Sequence, residues 1–305
     1  MTKRIHVSVP ASSANLGCGF DTYALALELR DSYLFEPASH DSIEVNGRFK
    51  NHIPRDISRN LAFRAFRLLA PTTAGPYQLK ATREIPPQGG LGGSAGAIVG
   101  GLVAANIAFQ LGHDNRELLY QAAELEGHAD NVAAALLGQL VVNVRTDQEI
   151  HTAQIPFPDD ISICLIVPGY RVATARARLA LPSTVTLEDA IANLGRASLF
   201  LAALQTGRYE LLALATEDLL HQPYRAELNP ALFPCVRAAM EKGAYGSALS
   251  GSGPTVIALA PPDHVMRIAG AMADAATDAG FSCETYVVKV ADQGPITVDV
   301  ADQNP

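Results

Sequence analysis

Three observations predict an α+β fold. Strand-like segments come in runs, at the start of the chain and again around residues 247–260. Helical segments lie between and beside those runs instead of alternating one for one with strands. The 305 residues are 48% hydrophobic and 18% charged, which gives ample material for a core. At roughly 150 residues per domain, such a chain makes one large domain or two. We place the division at 1–150 and 151–305.

The elements follow in order. Residues 5–9, 33–36 and 42–45 are rich in strand formers. Over 60–69, Leu61, Ala65, Leu68 and Leu69 share a face that Arg64 and Arg67 avoid, which predicts a helix. Residues 77–83 alternate as a strand. A loop rich in Gly and Pro then enters a small-residue apolar helix. Asp114 caps a further helix to about Glu126, a short helix follows Asp130 to Gly138, and 140–144 is a strand. The polar segment 145–160, with Pro156 and Pro158, reads as a linker. The second half opens with a strand at 161–167. Helices are expected at 187–205, 209–220, 230–242 and 264–279, and strands at 247–250, 255–260 and 285–290. Residues after Ala291 read as a weakly ordered tail.

Composition excludes several function classes. A net charge of −8 disfavours broad nucleic-acid binding. The apolar run 95–105 is too short for a bilayer, which needs about 20 residues. The first ten residues have no signal-type apolar core, so a cytoplasmic, membrane-free protein is expected. Cys18, Cys164, Cys235 and Cys283 form no C-x-x-C pair and read as reduced, buried thiols.

The chemistry concentrates in five segments. The first is IPPQGGLGGSAG, residues 85–96, whose glycines let backbone approach a ligand and whose helix start suits phosphate. No Gly is followed by Lys, so it is not the common nucleotide loop. A plain turn with Ser94 as N-cap is the alternative. GGSAG also matches the serine-hydrolase elbow G-x-S-x-G, but two prolines and two glycines precede it where that elbow needs a strand. The second segment is SALSGSGP, residues 247–254, either a wall of the same pocket or an ordinary hairpin. The third is ELEGHADN, residues 124–131. Asp130 or Asn131 can cap a helix there, yet capping leaves Glu126, His128 and Asp130 within five residues unexplained. A Mg²⁺ ligand with a hydroxyl-orienting group would account for them. The fourth, SSANLGCGFD at 12–21, offers Asn15 and Asp21, or is a turn. The fifth is basic, around Arg171, Arg176, Arg178 and Arg225, either a carboxylate grip or solvated surface.

Together these segments resemble the GHMP small-molecule kinases, whose three motifs match in order. They are PASSANLGCGFD at 10–21, the phosphate loop at 86–95 and the second Gly-rich turn at 246–254. EGHADNV at 126–132, the segment 174–182 and LHQPYR at 220–225 resemble the branch that phosphorylates homoserine. The resemblance runs from about Val7 to Val290. It implies two layered α+β domains with the active site between them. It also implies ATP as co-substrate on Pro86, Pro87, Gln88, Gly89, Gly90, Leu91, Gly92, Gly93, Ser94, Ala95 and Gly96. Mg²⁺ is implied on Ser94 and Glu126, and homoserine among Asn15, Asp21, His128, Asp130, Asn131, Arg178 and Arg225. Asp130, Asn131 and Ser94 are the implied catalytic set. Asp21 suits an ammonium group, and Arg178 with Arg225 a carboxylate. A homodimer is the family habit.

The departures are specific. Gly93 stands where the family has the first serine of a pair, so one phosphate hydrogen bond is expected to be lost or taken over by water. Gly96 replaces a common alanine. Glu124 lies near the same junction as Glu126, which is the preferred metal ligand. Another small-molecule kinase of the family and a non-catalytic ligand-binding relative stay open at this point.

Overall fold

The computed structural model describes residues 4–147 and 149–300. β1 (Arg4–Asn15) and β2 (Gly19–Pro37) form a long antiparallel hairpin. The first strand therefore runs six residues beyond the expected end at Val9, and only residues 16–18 turn. Its far end is buried on both faces, Ser12 and Ser13 included, so no polar–apolar alternation marks it. Register shifts at Pro10/Ala11 and Ala14/Asn15 bend the hairpin where the two halves of the molecule meet.

β3 (Ser42–Asn46), α1 (Leu61–Leu69) and β4 (Tyr77–Thr82) come next, with β3 parallel to β4. Then follow α2 (Gly93–Ala108), α3 (Asn115–Glu126) and α4 (Asp130–Leu137). Asp114 and Glu117 close the capping box at the start of α3, as that sequence pattern predicts. α2 is buried almost all round, which its Gly and Ala residues permit. A Cβ on Gly101 would stand 2.1 Å from the carbonyl oxygen of Ala62 in α1.

β5 (Leu140–Arg145) and β6 (Ile150–Ile155) form a hairpin, so much of the expected linker is a strand. The middle of β6 is exposed, and its His, Thr and Gln residues hide an edge strand from pattern reading. The first sheet has seven strands in the order β11-β1-β2-β4-β3, with β5 on β2 and β6 on β5. Its outermost member, β11 (Ile296–Val300), lies in the expected tail and pairs antiparallel with β1. Residues 301–305 lie outside the described residues. The division expected at residue 150 meets the first residue of β6, and β11 returns from the far end of the chain to the first sheet.

The second half holds β7 (Ser162–Pro168), α5 (Thr174–Leu179), α6 (Leu187–Thr206), α7 (Leu212–Ala215), α8 (Gln222–Arg225) and α9 (Leu232–Glu241). It ends with β8 (Gly246–Leu249), β9 (Val256–Ala260), α10 (Val265–Asp278) and β10 (Cys283–Val288). Its antiparallel sheet runs β10-β7-β9-β8. The helix expected at 209–220 is only a 3₁₀ turn and α7, because the Asp218 carboxylate takes the N–H groups of Leu220, His221 and Gln222 and starts a new turn.

Three large cores and a small alanine cluster (Ala14, Ala24, Ala26, Ala134 and Ala291) hold the layers. Val7, Tyr33, Phe35, Phe66 and Leu102 pack the first sheet against α1 and α2. Leu25, Leu27, Ile163, Phe200 and Ile257 join the hairpin, the second sheet and α6. Ile166, Cys235, Ile268 and Met272 fill the other face of the second sheet, under α9 and α10. A sheet covered on both faces explains the unbroken apolar runs of β7 and β9. Cys18, Cys164 and Cys235 are buried free thiols, pushed up to about 12 by burial. Among the described residues no helix is long and apolar enough to cross a membrane.

Candidate active site

A cavity of about 410 Å³ opens where the first-half loops meet α5, α8 and the turn between β8 and β9. Three Gly-rich segments are stitched together along its wall. The Ser12 N–H donates to Leu91 O, the Gly251 N–H to Ala14 O and the Thr255 N–H to Gly89 O. Ser250 Oγ lies 2.8 Å from Ser13 Oγ and 2.6 Å from Gly90 O. The turn at 247–254 is therefore a wall of the pocket, not an ordinary hairpin.

The phosphate loop ends at Gly92, whose φ of 65° is the N-cap conformation of α2. No side chain caps this helix, and its first turn carries no acid. Ser94 is its second residue, so the N-cap role expected for it falls to Gly92. The backbone N–H groups at the start of α2 stay available to an anion. Residues 87–94 line the cavity. Pro86, Ala95 and Gly96 do not: they are buried behind it, with Gly96 facing β1.

Ser94 Oγ donates to Glu126 Oε1 at the end of α3. Burial pushes the Glu126 carboxyl above its ordinary range, against the pull of Ser94 and His128. Glu124 points elsewhere and pairs with Arg145 on the surface. Gly127 ends α3 with φ 89°. Neither Asp130 nor Asn131 then caps α4, because Ala129 holds that position without a side-chain bond. Asp130 is instead 2% exposed, and its Oδ1 accepts from His128 Nδ1 at 2.6 Å and from the Asn131 N–H at 2.6 Å. Asn131 is held by Ser12 Oγ, which donates to its Oδ1 at 2.8 Å. Burial works to lower the His128 pKa, but the hydrogen bond and charge of Asp130, with the Glu126 charge, raise it above the ordinary 6.5.

At the other end, Asp21 and Arg178 form a bidentate pair, both contacts at 2.9 Å. Asp21 sits at φ 54°, braced by the bond from its N–H to Asn15 Oδ1. Asn15 Nδ2 donates to Gly251 O, so Asn15 fastens the hairpin to the second half. Arg225 is 2% exposed, donates to Gly251 O at 3.0 Å and lies over the Phe20 ring. Burial pulls its pKa down to about 10, which leaves it cationic at neutral pH. His221 Nε2 lies 2.9 Å from Gly17 O, and Nδ1 lies 3.4 Å from Arg225 Nη1. Of the basic group, Arg178 and Arg225 reach the cavity, whereas Arg171 meets His52 on the surface and Arg176 does not line it.

Sequence reading missed Arg83, Tyr33 and Asn60, which also line the cavity. Asn60 caps α1 through the Phe63 N–H, and nothing local marks the other two. The hydrolase reading of Ser94 fails here: β4 ends at Thr82, ten residues before Gly92, and Ser94 bonds a carboxylate rather than an imidazole.

Two family descriptions match the chain, GHMP kinases N terminal domain at residues 60–139 and GHMP kinases C terminal at 200–278. A homoserine kinase of Carboxydothermus hydrogenoformans is 43% identical over 83% of this chain and 84% of its own. One of Aquifex aeolicus is 35% identical over 95% and 98%. The crystal structure of a homoserine kinase from Cytophaga hutchinsonii superposes with a TM-score of 0.87 at 29% identity, covering 98% of each chain. A mevalonate kinase shares the fold at 14% identity and a TM-score of 0.70. With these matches over nearly its whole length and a cavity built from the three Gly-rich segments, the chain belongs to the homoserine kinases of the GHMP kinase family.

Proposed function

We propose that the protein transfers the γ-phosphoryl group of ATP to the side-chain hydroxyl of L-homoserine, giving O-phospho-L-homoserine for threonine biosynthesis. One observation carries this reading. A single cavity has an uncapped helix N-terminus at one end, two arginines and a carboxylate at the other, and Asp130 with Asn131 between. The relatives' names point to the same reaction.

The phosphate chain lies along loop 87–94, with the N–H groups and positive end of α2 meeting its charge. Ser94 and Glu126 fit a divalent ion. Both are hard oxygen donors, and a cation would offset the burial that pushes the Glu126 carboxyl above its ordinary range. Among the described residues no group of three or more His, Cys, Asp or Glu could hold a metal alone. Two protein oxygens suit Mg²⁺, which takes its remaining ligands from phosphate and water. When bound, Mg²⁺ neutralises charge on the transferring phosphoryl group.

Homoserine is a zwitterion, and Asp21 and Arg178 already hold each other as opposite charges. The incoming ammonium takes Asp21, and the carboxylate takes Arg178 and Arg225, so both members of the pair exchange partners at once. Asn131, fixed by Ser12, orients the hydroxyl. Asp130 accepts its proton, with His128 holding the carboxylate in place. A cytoplasmic location and a homodimer complete the proposal.

A coupled ADP-release assay tests it on L-homoserine, 4-hydroxybutyrate, 3-amino-1-propanol and mevalonate. Homoserine alone is expected to give strong turnover, because each analogue lacks at least one of the two charges. Turnover that ignores the ammonium or the carboxylate would assign another small-molecule kinase. Nucleotide binding without any turnover would assign a non-catalytic relative.

A further inference from the structure

Arg83 is a buried charged group of the cavity that none of the motifs contains. Its side chain is 4% exposed, and that of its ion-pair partner Asp31 is 0% exposed, at 3.0 Å. Asp31 also accepts the N–H groups of Glu84 and Ile85, so the pair anchors the chain leading into the phosphate loop. Nη1 of Arg83 donates to the Tyr33 hydroxyl, and Nη2 donates to Gly93 O at 3.2 Å. Nε is buried and has no hydrogen-bond partner among the described residues. The guanidinium thus stands beside the start of α2, on the cavity, and its Nη2, which carries two N–H bonds, spends one of them on Gly93 O.

Gly93 is the second observation. It is helical, and it is not among the glycines with positive φ, so its backbone does not call for glycine. What does call for it is space. A Cβ at position 93 would stand 3.2 Å from Arg83 Nη2, closer than ordinary van der Waals contact. Glycine in the first turn of a helix costs stability, and here it clears room for a cation.

We propose that Arg83 and Gly93 act as one unit. The glycine leaves the space that the guanidinium fills, and the guanidinium offers the nucleotide's phosphate chain the donor that a side chain at 93 would otherwise supply. Arginine suits this task because its fork of donors matches phosphate oxygens. The proposal rests on the loop being the ATP site. It reverses the expectation drawn from the motif alone, in which Gly93 is simply a missing hydroxyl.

The test measures KM for ATP and for homoserine, the Kd for ADP by calorimetry, and the melting temperature. The variants are Gly93→Ser, Gly93→Ala, Arg83→Lys and the double variant Gly93→Ser/Arg83→Lys. Both glycine variants are expected to weaken ATP and ADP about tenfold, the loss of a charge-assisted hydrogen bond. Homoserine KM should stay within about twofold. Melting temperature should not fall, since serine and alanine are better helix formers than glycine. In the Arg83→Lys background, where the slimmer cation leaves room, adding Gly93→Ser should cost little, a non-additive result. Tighter or unchanged nucleotide binding in Gly93→Ser overturns the proposal, and so does an equal effect in both backgrounds. A wild-type enzyme without homoserine-dependent ADP release would instead defeat the functional reading itself.

Discussion

The proposed phosphate end of the cavity is built mainly on backbone, and the proposed amino-acid end on side chains. At the first, eight consecutive residues, 87–94, with one helix start among them, line the cavity. At the second, Asp21, Asp130, Arg178 and Arg225 arrive from the β1–β2 hairpin, α4, α5 and α8. Backbone donors do not depend on which side chain they carry, and at Gly93, where a side-chain donor is missing, Arg83 stands beside the same helix start. A charge brought in by a distant segment has no substitute nearby, so the other end should be intolerant of single changes. ATP is a reactant many enzymes share, whereas homoserine must be picked out by its two charges. The construction follows that division.

The contrast can be broken most severely at Asp130. Asp130→Asn keeps the shape but not the basicity, and kcat is expected to fall by about 10²–10⁴-fold, the usual worth of a positioned base. Nearly full kcat would remove the base role and leave the proton to depart late, onto the phosphate itself.

A sharper comparison lies at the proposed metal ligands, Ser94 and Glu126. Glu126→Gln is expected to raise the Mg²⁺ concentration for half-maximal rate by about tenfold or more, with homoserine KM little changed. Glu124→Gln should leave the Mg²⁺ response unaltered, because that carboxylate is paired with Arg145 on the surface. A shift caused by Glu124→Gln and not by Glu126→Gln would exchange their roles.

The smallest effect concerns pH. The folded pKa of His128 lies above its ordinary 6.5, so the protonated ring binds the folded state better. Its stabilisation is fully present below pH 6.5 and is lost as pH rises through the folded value. His128→Gln should flatten that part of the melting-temperature profile by about 2 °C or less. An unchanged profile would show that the ring carries no charge in this range.

The same contrast explains what could be read from the sequence. The phosphate loop is contiguous, so its glycines and Ser94 stand out together. Glu126, His128 and Asp130 fall within five residues, and their crowding beyond what capping needs was the legible signal. Arg178 and Arg225 were legible only as members of a basic group, and their segments' resemblance to the family set them apart from Arg171 and Arg176. The Asp21–Arg178 pair was not legible, because each residue was read as waiting for substrate rather than for the other. Arg83 was hidden for a related reason: its partners Asp31, Tyr33 and Gly93 lie on three other stretches of chain. Among the elements, β6 escaped because its exposed middle lacks an alternating pattern, and β11, whose ITVDV does alternate, because it lies in the segment read as a tail. The buried helix α2 and the doubly covered strands β7 and β9 were the clearest.

The direct test of this two-ended construction compares both Michaelis constants in Arg225→Ala and Ser94→Ala. Arg225→Ala is expected to raise KM for homoserine by about 100-fold with KM for ATP within about twofold, the loss of a buried carboxylate partner. Ser94→Ala is expected to do the reverse, raising KM for ATP alone. Equal effects of Arg225→Ala on both substrates would make Arg225 a structural arginine and contradict the account.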